Sequence, residues 1–300
     1  MYQLNAIDPQ WFKMPASLAW SKFDLSYSCP EGATGAILCI YNDDSSNDHY
    51  LALRKPGAAH DLYRQLEQEQ QTWLIVGLDA DLCFEYRNDD SGKFEFFVMG
   101  YTGRNVVFLD TPIDILPTIA ATWRTVDIEA VMPGAIIMLS DFGGATMAHT
   151  EHSIRPLGAI NSDVAGYWHK WPFCNVPASG KIQTFTQWHD TDHQDWLAYA
   201  YIKEDATGDD DGIALHPLLA WTWNVCDISG LHAESRWAFV EVIEYVANAE
   251  ISARKLHSYF NKHEWSYGHN YVISHLNEEH KMQLYVTDAF SHAWLRAETH

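Results

Sequence analysis

Basic residues are scarce in this chain. Nineteen Lys and Arg stand against forty Asp and Glu in 300 residues, a net charge of −21 at pH 7 with His neutral. The excess is shared almost evenly by the two halves, so it is not a tail. Such a surface repels a phosphate backbone and anionic lipid, which argues against nucleic acid and membrane as partners. Cysteine is scarce as well. Cys29, Cys39, Cys83, Cys174 and Cys226 are odd in number, far apart and free of any C-x-x-C pair, so no zinc or dithiol redox motif is present. No apolar run approaches about 18 residues, which excludes a membrane-spanning helix. The opening MYQLNAIDPQWFKM lacks a basic segment followed by an apolar one, and no Asn-x-Ser/Thr acceptor occurs. The expectation is a soluble, reduced, cytoplasmic protein.

Catalytic signatures are also missing. There is no G-x-S-x-G nucleophile elbow. Gly100 and Gly103 stand alone, without the spacing of a dinucleotide fingerprint, and Ser179-Gly180-Lys181 lacks the glycines of a phosphate loop.

What is abundant is apolar and aromatic. Hydrophobic residues make up 47 % and aromatics 14 %, enough for a substantial core. Nine of the thirteen Trp, and all but three of the sixteen His, follow residue 150. A large aromatic core and an aromatic recognition surface both fit that count.

Strand signals are frequent. GAILCIY and HYLALR flank an acidic turn between Gly35 and Arg54. LCFEYR and FEFFVMGY do so between Leu82 and Tyr101, and Lys181–Trp188 with Trp196–Lys203, then Asn270–Leu276 with Lys281–Thr287, repeat the arrangement. Each reads as a hairpin. Helical signals are fewer. Ala58–Gln71 carries Leu62 and Leu66 at i,i+4, and Thr111-Pro112 reads as a cap followed by a first-turn proline. The longest pattern is Glu234–Lys262, free of Gly and Pro, with Trp237, Val240, Ile243, Val246 and Ala247 at spacings of three and four. The spacing predicts a long amphipathic helix near 234–262 covering a sheet.

The predicted class is α+β: antiparallel hairpins or sheets covered by helices. Residues 1–145 and 181–300 form two such domains or subdomains, joined through a Gly- and Pro-rich junction at 146–180. No residue-level repeat of fixed period stands out.

Two sets of residues are candidates for chemistry. Asp43-Asp44, Asp89-Asp90 and Asp209-Asp210-Asp211 fall in three separate turns. Asp stabilises turns locally, yet together these tips also present a negative surface to a basic protein. The second set is His189, Asp190, Asp192 and His193, with Asp195 beyond, a density of imidazole and carboxylate that suits a divalent metal. His149 and His152 form a weaker pair, and neither set matches H-E-x-x-H. The preferred reading is a strongly acidic interaction module, of the kind that neutralises a basic toxin or nuclease as an inhibitor or immunity protein. The alternative is a metal-dependent hydrolase built on 189–195, and only that reading calls for a metal.

Overall fold

Alternation is plainest in Phe94–Thr102 and Lys181–Thr186, where every second side chain is buried, the signature of a strand with one face on a core. In the computed structural model of the chain, the described residues are 5–60, 64–89, 92–143, 152–160, 172–187, 194–203, 206–215, 218–229, 235–243, 249–258, 264–266, 269–287 and 291–299. They form twenty-three strands and no helix. Among the described residues, therefore, no helix is long and apolar enough to cross a membrane.

The strands fall into six small sheets, all antiparallel where register is defined. The first holds β1 (Asn5–Lys13), β8 (Phe94–Thr102), β3 (Gly35–Asn42) and β6 (Gln71–Gly77), adjacent in that order. The second holds β2 (Ser17–Asp24), β7 (Cys83–Asn88), β4 (His49–Arg54) and β5 (Arg64–Leu66). Eight successive strands thus split into orders 1-8-3-6 and 2-7-4-5. That is the winding of a jelly roll, two Greek keys in two facing sheets. The facing is direct: Phe12 and Phe96 of one sheet meet Phe23 and Phe84 of the other, with ring centroids 5.0–5.9 Å apart.

The same order recurs twice. The last eight strands are β16 (Ala206–Ala214), β17 (Thr222–Asp227), β18 (Trp237–Ile243), β19 (Ala249–Lys255), β20 (Glu264–Ser266), β21 (His269–His275), β22 (Lys281–Val286) and β23 (His292–Thr299). They pair as β16-β23-β18-β21 and β17-β22-β19-β20. Between lie β9 (Val106–Asp114), β10 (Arg124–Asp127), β11 (Ile136–Gly143), β12 (His152–Pro156), β13 (Phe173–Asn175), β14 (Lys181–Thr186) and β15 (Gln194–Ile202), paired as β13-β11-β15-β9 and β10-β14-β12. Residues 161–171, between β12 and β13, lie outside the described residues. Propeller blades are meanders of successive strands. Here most neighbours in a sheet are not successive, so the six sheets are three jelly rolls in tandem.

The repetition reaches single residues. In each roll the third strand meets the eighth with one bulge, after its third residue: Ile37/Leu38, Met138/Leu139 and Phe239/Val240. The extra residues are Met99, Tyr199 and Arg296. By compactness the chain divides into Met1–Pro112, which holds the first roll, and Ile113–His300, which holds the other two, with β9 running across the boundary.

The α+β expectation is overturned. Glu234–Lys262 forms no long helix: β18 and β19 occupy it, with 244–248 between them outside the described residues. Every residue of β18 is buried, because both faces of that strand are covered. A strand apolar on both faces has no period of two, and its residues satisfy a spacing of three and four by default. Thr111-Pro112 lies inside β9, and the described end of Ala58–Gln71 holds β5 and the start of β6. The expected hairpins have the right strands and the wrong partners. β3 and β4, β7 and β8, β14 and β15, and β21 and β22 each sit in opposite sheets. The segment expected to be a junction supplies β12 and β13 to the second roll.

Inside Ile113–His300 the second and third rolls pack on each other. Phe173 of β13 meets Phe239 of β18 at 4.5 Å, and Gly208 of β16 abuts Asn175, where an added Cβ would lie 2.6 Å from the asparagine Cβ. At the end of β21, His275 lies edge-on to Trp237 at 5.3 Å. Burial pushes its imidazole down to about 4, and the cations Lys255 and Arg236 push the same way. The folded state therefore holds a neutral His275, and its contribution is full above the ordinary value of about 6.5 and lost as pH falls toward 4. Replacing it, His275→Gln, is expected to flatten that part of the stability–pH curve measured by urea unfolding. An unchanged slope between pH 6.5 and 4 would show that His275 is not buried as a neutral ring.

Candidate functional site

The acidic turns come first. Asn42 ends β3 and its side-chain amide donates to the carbonyls of Asn47, Leu66 and Glu67, fixing the loop that follows. This loop brings His49 between two carboxylates: Nε2 lies 3.1 Å from Asp44 Oδ2 and Nδ1 lies 3.3 Å from Asp89 Oδ1. Lys93 Nζ is 3.1 Å from the same Asp44 oxygen. The hydrogen bond with His49, then the Ser46 N–H and Lys93, hold the Asp44 carboxyl well below its usual range. Two of the predicted tips thus meet at one end of the first roll. Asp44 is buried and paired there, Asp89 is held by His49, and Asp43 is exposed. Asp90 is outside the described residues. Asp209, Asp210 and Asp211 lie within β16 and not in a turn, and their side chains are outside the description.

The predicted metal set is not placed. His189, Asp190, Asp192, His193 and His149 lie outside the described residues, as do the side chains of His152 and Asp195. Among the described residues no group of three His, Cys, Asp or Glu is arranged to hold a metal. The five cysteines are buried and unbridged, and burial pushes the Cys29 and Cys226 thiols up to about 12, which removes them as nucleophiles at neutral pH.

Sequence reasoning missed the outer face shared by the second, seventh and fourth strands. In the first roll Arg54 reaches across the middle strand, its Cζ 3.8 Å from the Trp20 ring, while its Nε donates to Glu85 at 2.6 Å. In the second, Arg155 sits 3.9 Å from Trp123 and donates to Gln183 at 2.9 Å. In the third, Arg254 sits 3.8 Å from Trp223 and donates to Gln283 at 3.0 Å. A third group leans on each Trp: Arg87 at 5.7 Å, Phe185 at 5.6 Å and Tyr285 at 5.4 Å. Arg and its acceptor are direct cross-strand partners in all three ladders. Such stacks are worth about 0.5–2 kcal/mol each. Below them the strand ends on Asp127 or Asp227, each 3.7 Å from Lys181 or Lys281. The first roll has Asp24 opposite Cys83, and Lys22 turns to Asp79 at 2.6 Å. The next backbone N–H always donates to the carbonyl of a left-handed residue: Leu25 to Leu82, Ile128 to Gly180, Ile228 to His280.

The signal was present in sequence. Trp-x-x-x-Asp-Leu/Ile occurs at Trp20–Leu25, Trp123–Ile128 and Trp223–Ile228, about 100 residues apart. An aromatic and an acid at that distance look like composition until the strands superpose.

A second cluster lies at the entry to β17. Leu219 is 66 %, Trp221 71 % and Val225 55 % exposed. Buried Asn224 holds that entry, accepting from Leu219 N–H at 2.7 Å and donating to the Leu219 and Thr222 carbonyls at 2.9 and 3.1 Å.

No protein-family model matches the chain. No curated protein matches it in sequence. Among solved structures, a chain of Sulfolobus turreted icosahedral virus aligns over 99 % of this chain and 90 % of its own, at 10 % identity and a TM-score of 0.25. A chain of an archaeal virus with a triple jelly roll fold and turret assembly aligns over 98 % and 90 %, at 10 % identity and 0.20. The M60 catalytic domain with CBM51-1 and CBM51-2 domains of Clostridium perfringens ZmpB aligns over 97 % and 34 %, at 7 % identity and 0.22. Likeness at these scores carries no argument; the jelly-roll assignment rests on the strand order of this chain.

Proposed function

We propose that the chain is an acidic interaction protein that docks a basic partner onto a scaffold of three jelly rolls. The observation that carries the reading is where the few cations go. Lys13, Lys22, Arg54, Lys55, Lys93, Lys181, Lys281 and Arg296 are each within ion-pair distance of an acid of the same chain. Arg155 and Arg254 lie against Trp faces. Cations so engaged leave the excess of acid unrelieved toward solvent, and such a surface attracts and steers positive charge. The fold does not choose the function, since jelly rolls serve as capsid, lectin and cupin domains alike. Narrowing the reading to a toxin inhibitor or immunity protein finds no support in the described residues, and the metal-hydrolase reading finds none either.

Titration calorimetry against a panel of small proteins of strongly basic pI tests it. Binding is expected in about 0.01 M salt and to weaken at least tenfold in about 0.1 M, as the screening length falls from about 30 to 10 Å. Binding indifferent to salt, or none at all, removes the reading.

A further inference from the structure

The three rolls are internal controls for one another: on the second strand and the turn leading into it the first exposes Leu18 (78 %), the second Ile119 (49 %), and the third Leu219, Trp221 and Val225 together. Ala121 and Trp221 stand two residues before their stacking Trp. Both have positive φ, 52° and 59°, and both donate their N–H to the last residue of the seventh strand, Thr186 at 2.7 Å and Val286 at 2.8 Å. An alanine therefore does the backbone work of this turn. A tryptophan there takes on a left-handed conformation, which bulky residues rarely adopt, and gains little burial from it. The next departure is two residues beyond the stack. Lys22, Thr125 and Val225 face Glu85, Gln183 and Gln283 in the same register. Only the third roll places an apolar residue there, and it is more than half exposed. Leu219 adds a third exposed apolar residue, at a place where the second roll also exposes one, Ile119. Single exposed apolar residues are ordinary, but a group of three on one strand and the turn leading into it marks an interaction surface.

The strand that bears Val225, and that Leu219 and Trp221 lead into, is an edge. β17 pairs with β22 on one side, and among the described residues no strand pairs with the other. An exposed edge offers a row of backbone donors and acceptors, a template for an added strand. We infer that β17 receives an extended segment of a basic partner, which adds as a further strand and seats its apolar side chains against Leu219, Trp221 and Val225. A second copy of this chain is a poor occupant, because two surfaces of −21 repel. This inference rests on the acidic-docking reading for the sign of the partner, and on the edge and the three side chains for its location.

The probe is a ten-residue peptide of alternating Lys and Val, with an all-Lys peptide as control, read by hydrogen exchange and by affinity. The alternating peptide is expected to slow exchange at least tenfold in 222–227 and to leave 124–127 of the second roll unchanged. The double variant Trp221→Ala/Val225→Thr, which installs the residues of the second roll, is expected to fold normally and to lose at least tenfold in affinity for this peptide. If both peptides bind alike without protecting 222–227, the edge inference is overturned while acidic docking stands. If neither binds, both fall. Self-association of the wild-type chain that the double variant abolishes would also overturn it, by making the occupant a second copy.

Discussion

Removing the Glu241 carboxylate, Glu241→Ala, is expected to destabilise the chain by about 3–5 kcal/mol in urea unfolding, the cost of leaving a buried charge without its partner. Glu241 is 2 % exposed in the middle of β18. It pairs with the guanidinium of Arg296, the bulge residue of β23, and accepts a hydrogen bond from Tyr271 Oη at 3.0 Å. Burial, reinforced by Glu241, drives the Tyr271 hydroxyl well above its usual value. Burial alone would lower the Arg296 value, but Glu241 and Tyr271 together outweigh it and the net shift is upward. Without the carboxylate, a buried guanidinium and a buried hydroxyl both lose their acceptor. The first roll shows what the fold itself needs here. Cys39, Trp73 and Met99 occupy the places of Glu241, Tyr271 and Arg296, so apolar side chains serve equally in the same register. The double variant Glu241→Leu/Arg296→Met is therefore expected to recover most of the loss, since apolar replacement of a whole buried pair is often neutral or stabilising. A loss below about 1 kcal/mol in Glu241→Ala would mean that the pair is solvated. The pair lies on the sheet by which the third roll meets Phe173 of the second, and registration of that contact is the role it best fits.

Glu241 also shows why the fold was only partly legible. Between Val240 and Val242 it looks like the polar face of an amphipathic helix, because nothing in a sequence separates a solvated glutamate from one buried on arginine. The strands themselves were readable wherever one face is exposed, as in β8 and β14, and unreadable as strands in β18, where neither is. Partner choice was not readable at all. A jelly roll sends successive strands to opposite sheets, and alternation says which face is buried, not which strand lies alongside. The acidic turns are legible, but nothing in the sequence separates Asp44 from a surface acid, although His49 five residues on holds it in the fold. The repeated Trp, Arg and Gln or Glu stand on or beside three strands spread over 60 to 65 residues of each roll, and only the register collects them.

The aromatic cluster of the first roll carries the other large effect. Phe96 of β8 is fully buried, stacked on Phe12 at 5.3 Å and edge-on to Phe23 at 5.0 Å and Phe84 at 5.9 Å. Phe96→Ala is expected to cost about 3–5 kcal/mol, lost transfer energy plus a cavity that three rigid rings cannot close. Each lost ring pair adds to the burial term. The rolls again provide the comparison. Counting from the bulge, Trp196 occupies this place in the second roll and Ala293 in the third, all buried. An alanine is thus compatible with the position itself, and the expected loss belongs to what surrounds it. Phe96→Leu, which keeps most of the volume, is expected to lose less than half as much. Equal losses for the two variants would show that ring contacts and not the cavity dominate. Trp221→Ala, removing a larger ring, is expected to change stability by no more than about 0.5 kcal/mol, because that ring makes few contacts to lose. The aromatic side chains of this chain therefore divide by what they touch: those like Phe96 hold a roll together, and those like Trp221 are available to something else.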